Sequence, residues 1–304
     1  MFVYSDEYDL GWSAHVFPTD KYRRVYEAIL AGGLANDGAI FRPRKASREE
    51  LLLVHEERYL DQLEALTLTP MAAMWQFEAP LDRKTLDAIY AATGGSMLAA
   101  AEAVRRREVW VNLGGGFHHA FPAHGEGFCF INDIAVAIRA VQKAGIVKNV
   151  LVVDCDLHQG NGTAGIFEKD PAVFTLSIHQ EHLYPVKQRS SLDIGLDNYT
   201  GDREYLECLE AGLEQALDAG SYDLVFYLAG ADPFEGDKLG SLKLTKDGLR
   251  KRETLVLNKA QERSLPVAAV LAGGYAENTQ DVVDIHVEFC RQAMAANFKR
   301  RLIA

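Results

Sequence analysis

The run Asp154-Cys155-Asp156-Leu157-His158 directly follows the apolar stretch Val150-Leu151-Val152-Val153. In extended chain, side chains two positions apart point to the same side. Asp156 and His158 can therefore bring one oxygen and one nitrogen to a common point. A catalytic zinc takes three protein ligands and keeps a position open for water. Asp232, just past the apolar run 224–229, can supply the third. An Asp/His/Asp set is harder than the common His-rich zinc sites, so Mn2+ and Fe2+ compete with Zn2+ on donor chemistry alone. A rival use of Asp154 and Asp156 is to cap the following helix through its free amides. Two carboxylates this close compete for one ion. Asp154 is therefore read as orienting a histidine or holding a second cation through its oxygens.

His118 and His119 are adjacent and follow Gly114-Gly115-Gly116, in a chain with nine histidines. Histidine takes up and returns protons near neutral pH. Each imidazole needs an orienting partner, and Asp154 and Asn161 are the candidates. An ionised Asp raises the pKa of its His partner far more than a neutral Asn does. The two histidines should thus differ in proton affinity, the one beside Asn161 being the better general base. Tyr275 follows Gly273-Gly274, and its hydroxyl can donate to a carbonyl oxygen opposite the metal as negative charge develops there. His179 and His182 lie at no clear ligand spacing.

All of these groups follow apolar runs, which occupy 108–113, 150–153, 173–178, 224–229 and 267–272. Continuous β-branched runs suit strands of a parallel sheet covered on both faces. Helical segments are expected between them at Asp133 to Ala144, Arg203 to Ala219 and Thr245 to Arg263. Strand and helix alternating means an α/β fold with right-handed crossovers. Ligands of such sheets bind beyond the carboxyl ends of the strands. With no repeat, low-complexity tract or linker, residues 1–304 read as a single domain.

The chain has 304 residues and a net charge of −11, which argues against nucleic acid or an anionic membrane as partner. No stretch approaches 18 uncharged apolar residues, so no membrane span is expected. Cys129, Cys155, Cys208 and Cys290 form no C-x-x-C pair and read as reduced thiols. With no signal peptide at Met1 to Asp6, the expected location is cytoplasmic. Oligomeric state stays open, because residues 67–84, with Met71, Met74, Trp75 and Phe77, suit either a site rim or an interface.

Five stretches together resemble the histone deacetylase family: LGGGFHHA (113–120), GFCFIND (127–133), VVDCDLHQGNG (152–162), LAGADPFEGDKLG (228–240) and LAGGY (271–275). Weaker matches at His15 to Tyr26 and Glu49 to Tyr59 extend the likeness over nearly the whole chain. EGDKLG, HQGNG and His182-Leu183-Tyr184-Pro185 look closest to class IV members and bacterial relatives. The resemblance implies the arginase/deacetylase fold, three α/β/α layers around a mostly parallel sheet of about eight strands. It implies zinc on Asp156, His158 and Asp232, His119 as general base, and His118 with Asp154 as its electrostatic partner. Tyr275 would polarise the acyl carbonyl. Gly127, Phe128 and Tyr184 would line a narrow tunnel, with Leu239 near its mouth. A structural potassium ion would sit on Asp154, Ser177 and the carbonyls of Asp156, His158 and Ile178. Asn161 departs from the class I pattern, which has a second Asp there. The implied substrate is an acylated lysine peptide. A small acylated amine such as an acetylpolyamine is the alternative, and Leu239, not an acidic residue, at the mouth argues against it. A dimanganese ureohydrolase and a non-enzymatic binding module fit the His pair and Tyr275 poorly.

Overall fold

The computed structural model describes residues 1–12 and 15–303, without the side chains of residue 37 and residues 300–303. Eight strands form one sheet: β1 (Phe2–Val3), β2 (Ile40–Phe41), β3 (Val109–Asn112), β4 (Val150–Asp154), β5 (Val173–Gln180), β6 (Leu192–Leu196), β7 (Leu224–Leu228) and β8 (Val267–Val270). Their order is β2-β1-β3-β8-β7-β4-β5-β6, and every pairing between them is parallel. The five apolar runs form β3, β4, β5, β7 and β8. The two short strands β1 and β2, and the edge strand β6, have too little apolar pattern to stand out.

Alternation along the strands builds two cores. Val109, Val111, Leu151 and Val153 point into one, while Trp110, Val150 and Val152 point into the other. Helices cover both faces, as buried parallel sheets require. Arg83–Arg106 and Asp133–Lys143 pack on one side, through Ala99, Ala103, Ile134 and Ile138. Asp202–Asp218, Lys246–Glu262 and Thr279–Ile303 pack on the other, through Leu209, Leu213, Val256 and Phe289. The result is the three-layer α/β/α architecture. Each expected helix is present within one residue at either end.

Capping residues set where the site's loops hand over to helices. Asn132 accepts from the Ala135 amide at 2.9 Å and starts the helix Asp133–Lys143. Its side-chain amide also donates to the carbonyl of Ala120 and the hydroxyl of Thr163, at 3.0 and 3.1 Å. One side chain thus joins a helix start to the loop holding the histidine pair.

Candidate metal centre and histidine pair

The carboxyl ends of β3, β4, β7 and β8 are neighbours in the sheet, and their loops converge. Asp156, His158 and Asp232 are buried, with one ligand atom from each within 4.8 Å of the others. Their oxygens are held by main-chain amides. Asp156 Oδ1 accepts from His158 N–H at 3.0 Å, and Oδ2 from Gly273 N–H at 2.8 Å. Asp232 Oδ1 accepts from Leu157 N–H at 3.0 Å, while its buried Oδ2 has no hydrogen-bond partner. His158 Nδ1 lies 3.3 Å from Asp156 Oδ1 and 3.5 Å from Asp232 Oδ2. Gly273 makes this convergence sterically feasible. A Cβ there would stand 2.1 Å from Asp232 Oδ2 and 2.6 Å from Asp156 Oδ2.

Two buried carboxylates without a cation are costly. Burial raises the Asp232 carboxyl to about 6, with Asp156 adding repulsion. Burial works against a charged His158, but the flanking carboxylates of Asp156 and Asp232 win and hold it up at about 10. The pocket thus draws a positive charge between its carboxylates, and a lone pair on Asp232 is free to meet it. Both features fit a divalent cation on an Asp/His/Asp set. Asp154 and Asp156 do not cap the next helix, Asn161–Phe167, whose first residue follows Gly160 without a side-chain cap. They bind amides of their own loop instead.

The histidines stand beside this cluster with different partners. His118 Nδ1 meets Asp154 Oδ2 at 2.7 Å, and His119 Nδ1 meets Asn161 Oδ1 at 2.8 Å. Their Nε2 atoms are 3.1 Å apart. Burial opposes charge on His118, yet the carboxylates of Asp154 and Asp156 raise it to about 9. Burial, then the charges of His118 and His158, push His119 well below the ordinary value. The expected inequality of the pair is therefore present, with His119 the neutral member at pH 7. Tyr275 is buried among Phe17 and Phe128, with ring centroids at 5.9 and 6.1 Å. Burial and the charges of Asp156 and Asp232 hold its hydroxyl protonated.

A narrow cavity reaches this cluster, lined by His118, His119, Gly127, Phe128, Asp156, His158 and Tyr275 among others. Gly127 and Phe128 both have positive φ, 52° and 66°. At Gly127 a Cβ would meet Tyr184 Oη at 2.6 Å and His119 Cδ2 at 2.7 Å, so the lining there must be bare backbone. The Tyr184 ring centroid lies 5.2 Å from that of His119. Leu239 does not line the cavity. It is half-buried, and its N–H donates to Asp237 at 2.8 Å. Ser177 and Ile178 lie within β5, and the Ser177 hydroxyl meets Nδ1 of buried His179 at 2.9 Å.

Supporting residues that the motifs alone did not mark are numerous. The buried Asp133 carboxylate accepts from the amides of Gly116 and Phe117, fixing the loop before His118. Asp237 accepts from the Tyr275 amide at 2.7 Å. Arg252, fully buried and paired with Glu253, donates to the Cys155 carbonyl at 3.1 Å. Lys21, also fully buried, donates to the Ala272 carbonyl at 2.7 Å. Burial lowers it to about 8 against the pull of Asp232, Asp156 and Asp237. His55 Nε2 accepts from the Asn132 amide at 3.1 Å. Glu126 accepts from the Asn161 side chain at 2.5 Å.

A cluster of this kind, at the carboxyl edge of a doubly covered parallel sheet, marks a hydrolase of the arginase/deacetylase fold. Residues 15–290 match the histone deacetylase domain, and the chain belongs to that family. It is 42% identical over 273 residues to an uncharacterized protein of Picosynechococcus sp., covering 90% of each chain. It is 33% identical to histone deacetylase 2 of Arabidopsis thaliana, covering 94% of this chain and 77% of that one. It is 30% identical to the acetoin utilization protein AcuC of Bacillus subtilis, covering 81% and 69%. The solved structure of a histone deacetylase homologue from Aquifex aeolicus superposes with a TM-score of 0.80 at 25% identity, covering 96% of this chain and 83% of that one. The chain is thus a deacetylase-type amidohydrolase. Among the described residues no helix is long and apolar enough to cross a membrane.

Proposed function

We propose that residues 1–304 act as one catalytic domain that hydrolyses the amide of an acylated lysine side chain, with zinc held by Asp156, His158 and Asp232. The observation carrying this reading is the partnerless Asp232 Oδ2 beside a neutral, oriented His119. When bound, zinc supplies Lewis acidity toward water and the acyl carbonyl. His119 donates Nδ1–H to Asn161, which makes Nε2, the nitrogen facing His118 Nε2, the atom that takes a proton from the attacking water. His118 stays charged through Asp154 and offsets the negative charge that develops nearby. The Tyr275 hydroxyl donates to the acyl oxygen, and the Asp237 clamp on its amide fixes where that hydroxyl points. His119 then returns its proton to the leaving amine.

The Gly127 carbonyl would accept the substrate amide N–H, and Phe128 and Tyr184 would flank the lysine methylenes. Leu239 would lie outside that channel, near its approach. A structural K+ on Asp154, Ser177 and the carbonyls of Asp156, His158 and Ile178 belongs to the same reading. Burial holds His179 at about 4, so it is neutral at pH 7, and the Ser177 hydroxyl beside its Nδ1 would turn its remaining lone pair to a cation. The net charge of −11 favours a cationic small amine as second substrate class.

Acetyl-, octanoyl- and myristoyl-lysine peptides, and an acetylated polyamine, should be compared at known zinc content. A lysine peptide is expected to give the highest kcat/KM, at least about tenfold above the polyamine. Faster turnover of the polyamine would replace this substrate reading with the small-amine one.

A further inference from the structure

The partner of His119 is an amide, and an amide has a donor end and an acceptor end. Gly162 N–H donates to Asn161 Oδ1 at 3.0 Å. Since a main-chain N–H cannot accept, that contact settles which end of Asn161 faces His119. The other end, Nδ2, donates to Glu126 Oε1 at 2.5 Å and points toward the Val186 carbonyl at 3.5 Å. Glu126 is itself held by a tight turn, in which Cys129 N–H donates to its carbonyl at 2.9 Å. Its side chain therefore reaches Asn161 from a fixed backbone, at the residue preceding Gly127.

We infer that Glu126 is a positioning residue for the proposed base, clamping Asn161 so that His119, Asn161 and Glu126 form one directed hydrogen-bond chain. The inference rests on the reading of His119 as base. A carboxylate accepting from Nδ2 polarises the amide and makes Oδ1 a stronger acceptor for His119 Nδ1–H. The negative charge that an aspartate at 161 would place directly against the imidazole is thus kept, one residue further out. It also makes Asn the required residue at 161. A carboxylate there would face the Glu126 carboxylate with no donor between them, and like charges at hydrogen-bond distance repel.

Steady-state kinetics on an acetyl-lysine peptide should be run on the zinc-loaded wild type, Glu126→Gln, Asn161→Asp and the double variant, with thermal midpoint and bound zinc recorded. Glu126→Gln keeps an acceptor but loses the charge. It is expected to lower kcat about tenfold with KM within about twofold. Asn161→Asp alone should lower kcat further. Combining the two should restore kcat above that of Asn161→Asp, a reversal that general loss of structure does not produce. Losses that simply multiply, or an unchanged kcat in Glu126→Gln, would overturn the clamp. A readout independent of turnover is 15N NMR of histidine-labelled wild-type protein. His119 is expected as the Nδ1–H tautomer, and the Nε2–H tautomer would also overturn the clamp. His119→Ala separates the two claims: retained activity there removes the base assignment, while the tautomer still tests the chain of hydrogen bonds.

Discussion

The floor of the cavity and the exposed apolar segment around Leu68 to Trp75 are built on opposite principles. On the floor, Asp133, Asp154, Asp156 and Asp232 are buried and tied to donors, the partnerless Oδ2 of Asp232 excepted. The geometry is set by main-chain amides and charge pairs, and little can move without leaving a buried charge unpaired. At the surface, Leu68, Met71, Trp75 and Val186 are exposed, Trp75 at 95%. Met71 and Trp75 sit on two short helical turns, Pro70–Ala73 and Met74–Phe77. The floor holds the groups that the proposed reaction uses, whereas the surface segment offers exposed apolar side chains. If that segment forms the rim of the cavity, floor substitutions should be expensive in kcat and rim substitutions visible mainly in KM.

The sharpest way to break the contrast is at the floor. His119→Ala and Asp156→Ala are expected to lower kcat/KM at least about a thousandfold, the range for loss of a general base or a ligand. Tyr275→Phe should lower kcat about a hundredfold and leave KM nearly unchanged, because its hydroxyl acts on charge that develops only in the transition state. The check is steady-state kinetics with metal content measured for each variant. A metal-free His119→Ala protein with full activity would refute the assignment of the floor.

Apart from Asp133, the floor was also the part most legible in the sequence. Its polar residues follow apolar runs directly and are flanked by glycines, so position in a parallel sheet already told where they would meet. What supports them was not legible, since it depends on contacts distant in the chain. His55 meets Asn132 across 77 residues, and Lys21 meets the Ala272 carbonyl across 251. Lys21, at the start of the helix Lys21–Ala31, reads as a solvated charge until the fold encloses it. Asn161 was legible as an odd partner for a histidine, but Glu126 gives it a reason only in three dimensions. The strands β1 and β2, with two residues each, carry no periodicity to read.

His55 tests how tightly the support beneath the floor depends on neutral groups. Its Nε2 accepts from Asn132 N–H and its Nδ1 faces the Phe121 carbonyl at 3.0 Å, so the neutral Nδ1–H form satisfies both ends. Burial, against weaker hydrogen-bond support, lowers its pKa from 6.5 to about 4. As pH falls below 6.5 the unfolded chain binds a proton that the folded chain refuses until about 4. Stability from this group is complete above pH 6.5 and is lost progressively down to about 4, in total on the order of 3 kcal/mol. Urea unfolding at fixed zinc between pH 7.5 and 4, in wild type and His55→Gln, measures this. The variant should show the shallower slope over that window, and equal slopes would remove His55 from the account.

The smallest effect is expected at the exposed segment. Residues 74–78 lie against the cavity wall: Phe128 N–H donates to the Phe77 carbonyl at 3.0 Å, and His15 Nε2 meets the Glu78 carbonyl at 2.8 Å. Trp75 projects from this support into solvent, so its removal costs no packing. Trp75→Ala should change stability by less than about 0.5 kcal/mol, as for an exposed side chain without partners. If the segment serves as the rim, KM for an acetyl-lysine peptide should rise about threefold with kcat unchanged, the signature of lost uniform binding. Sedimentation at several concentrations separates this from an interface. A change in association on Trp75→Ala, with KM unaltered, would assign the apolar surface to a second copy of the chain and take it away from the substrate.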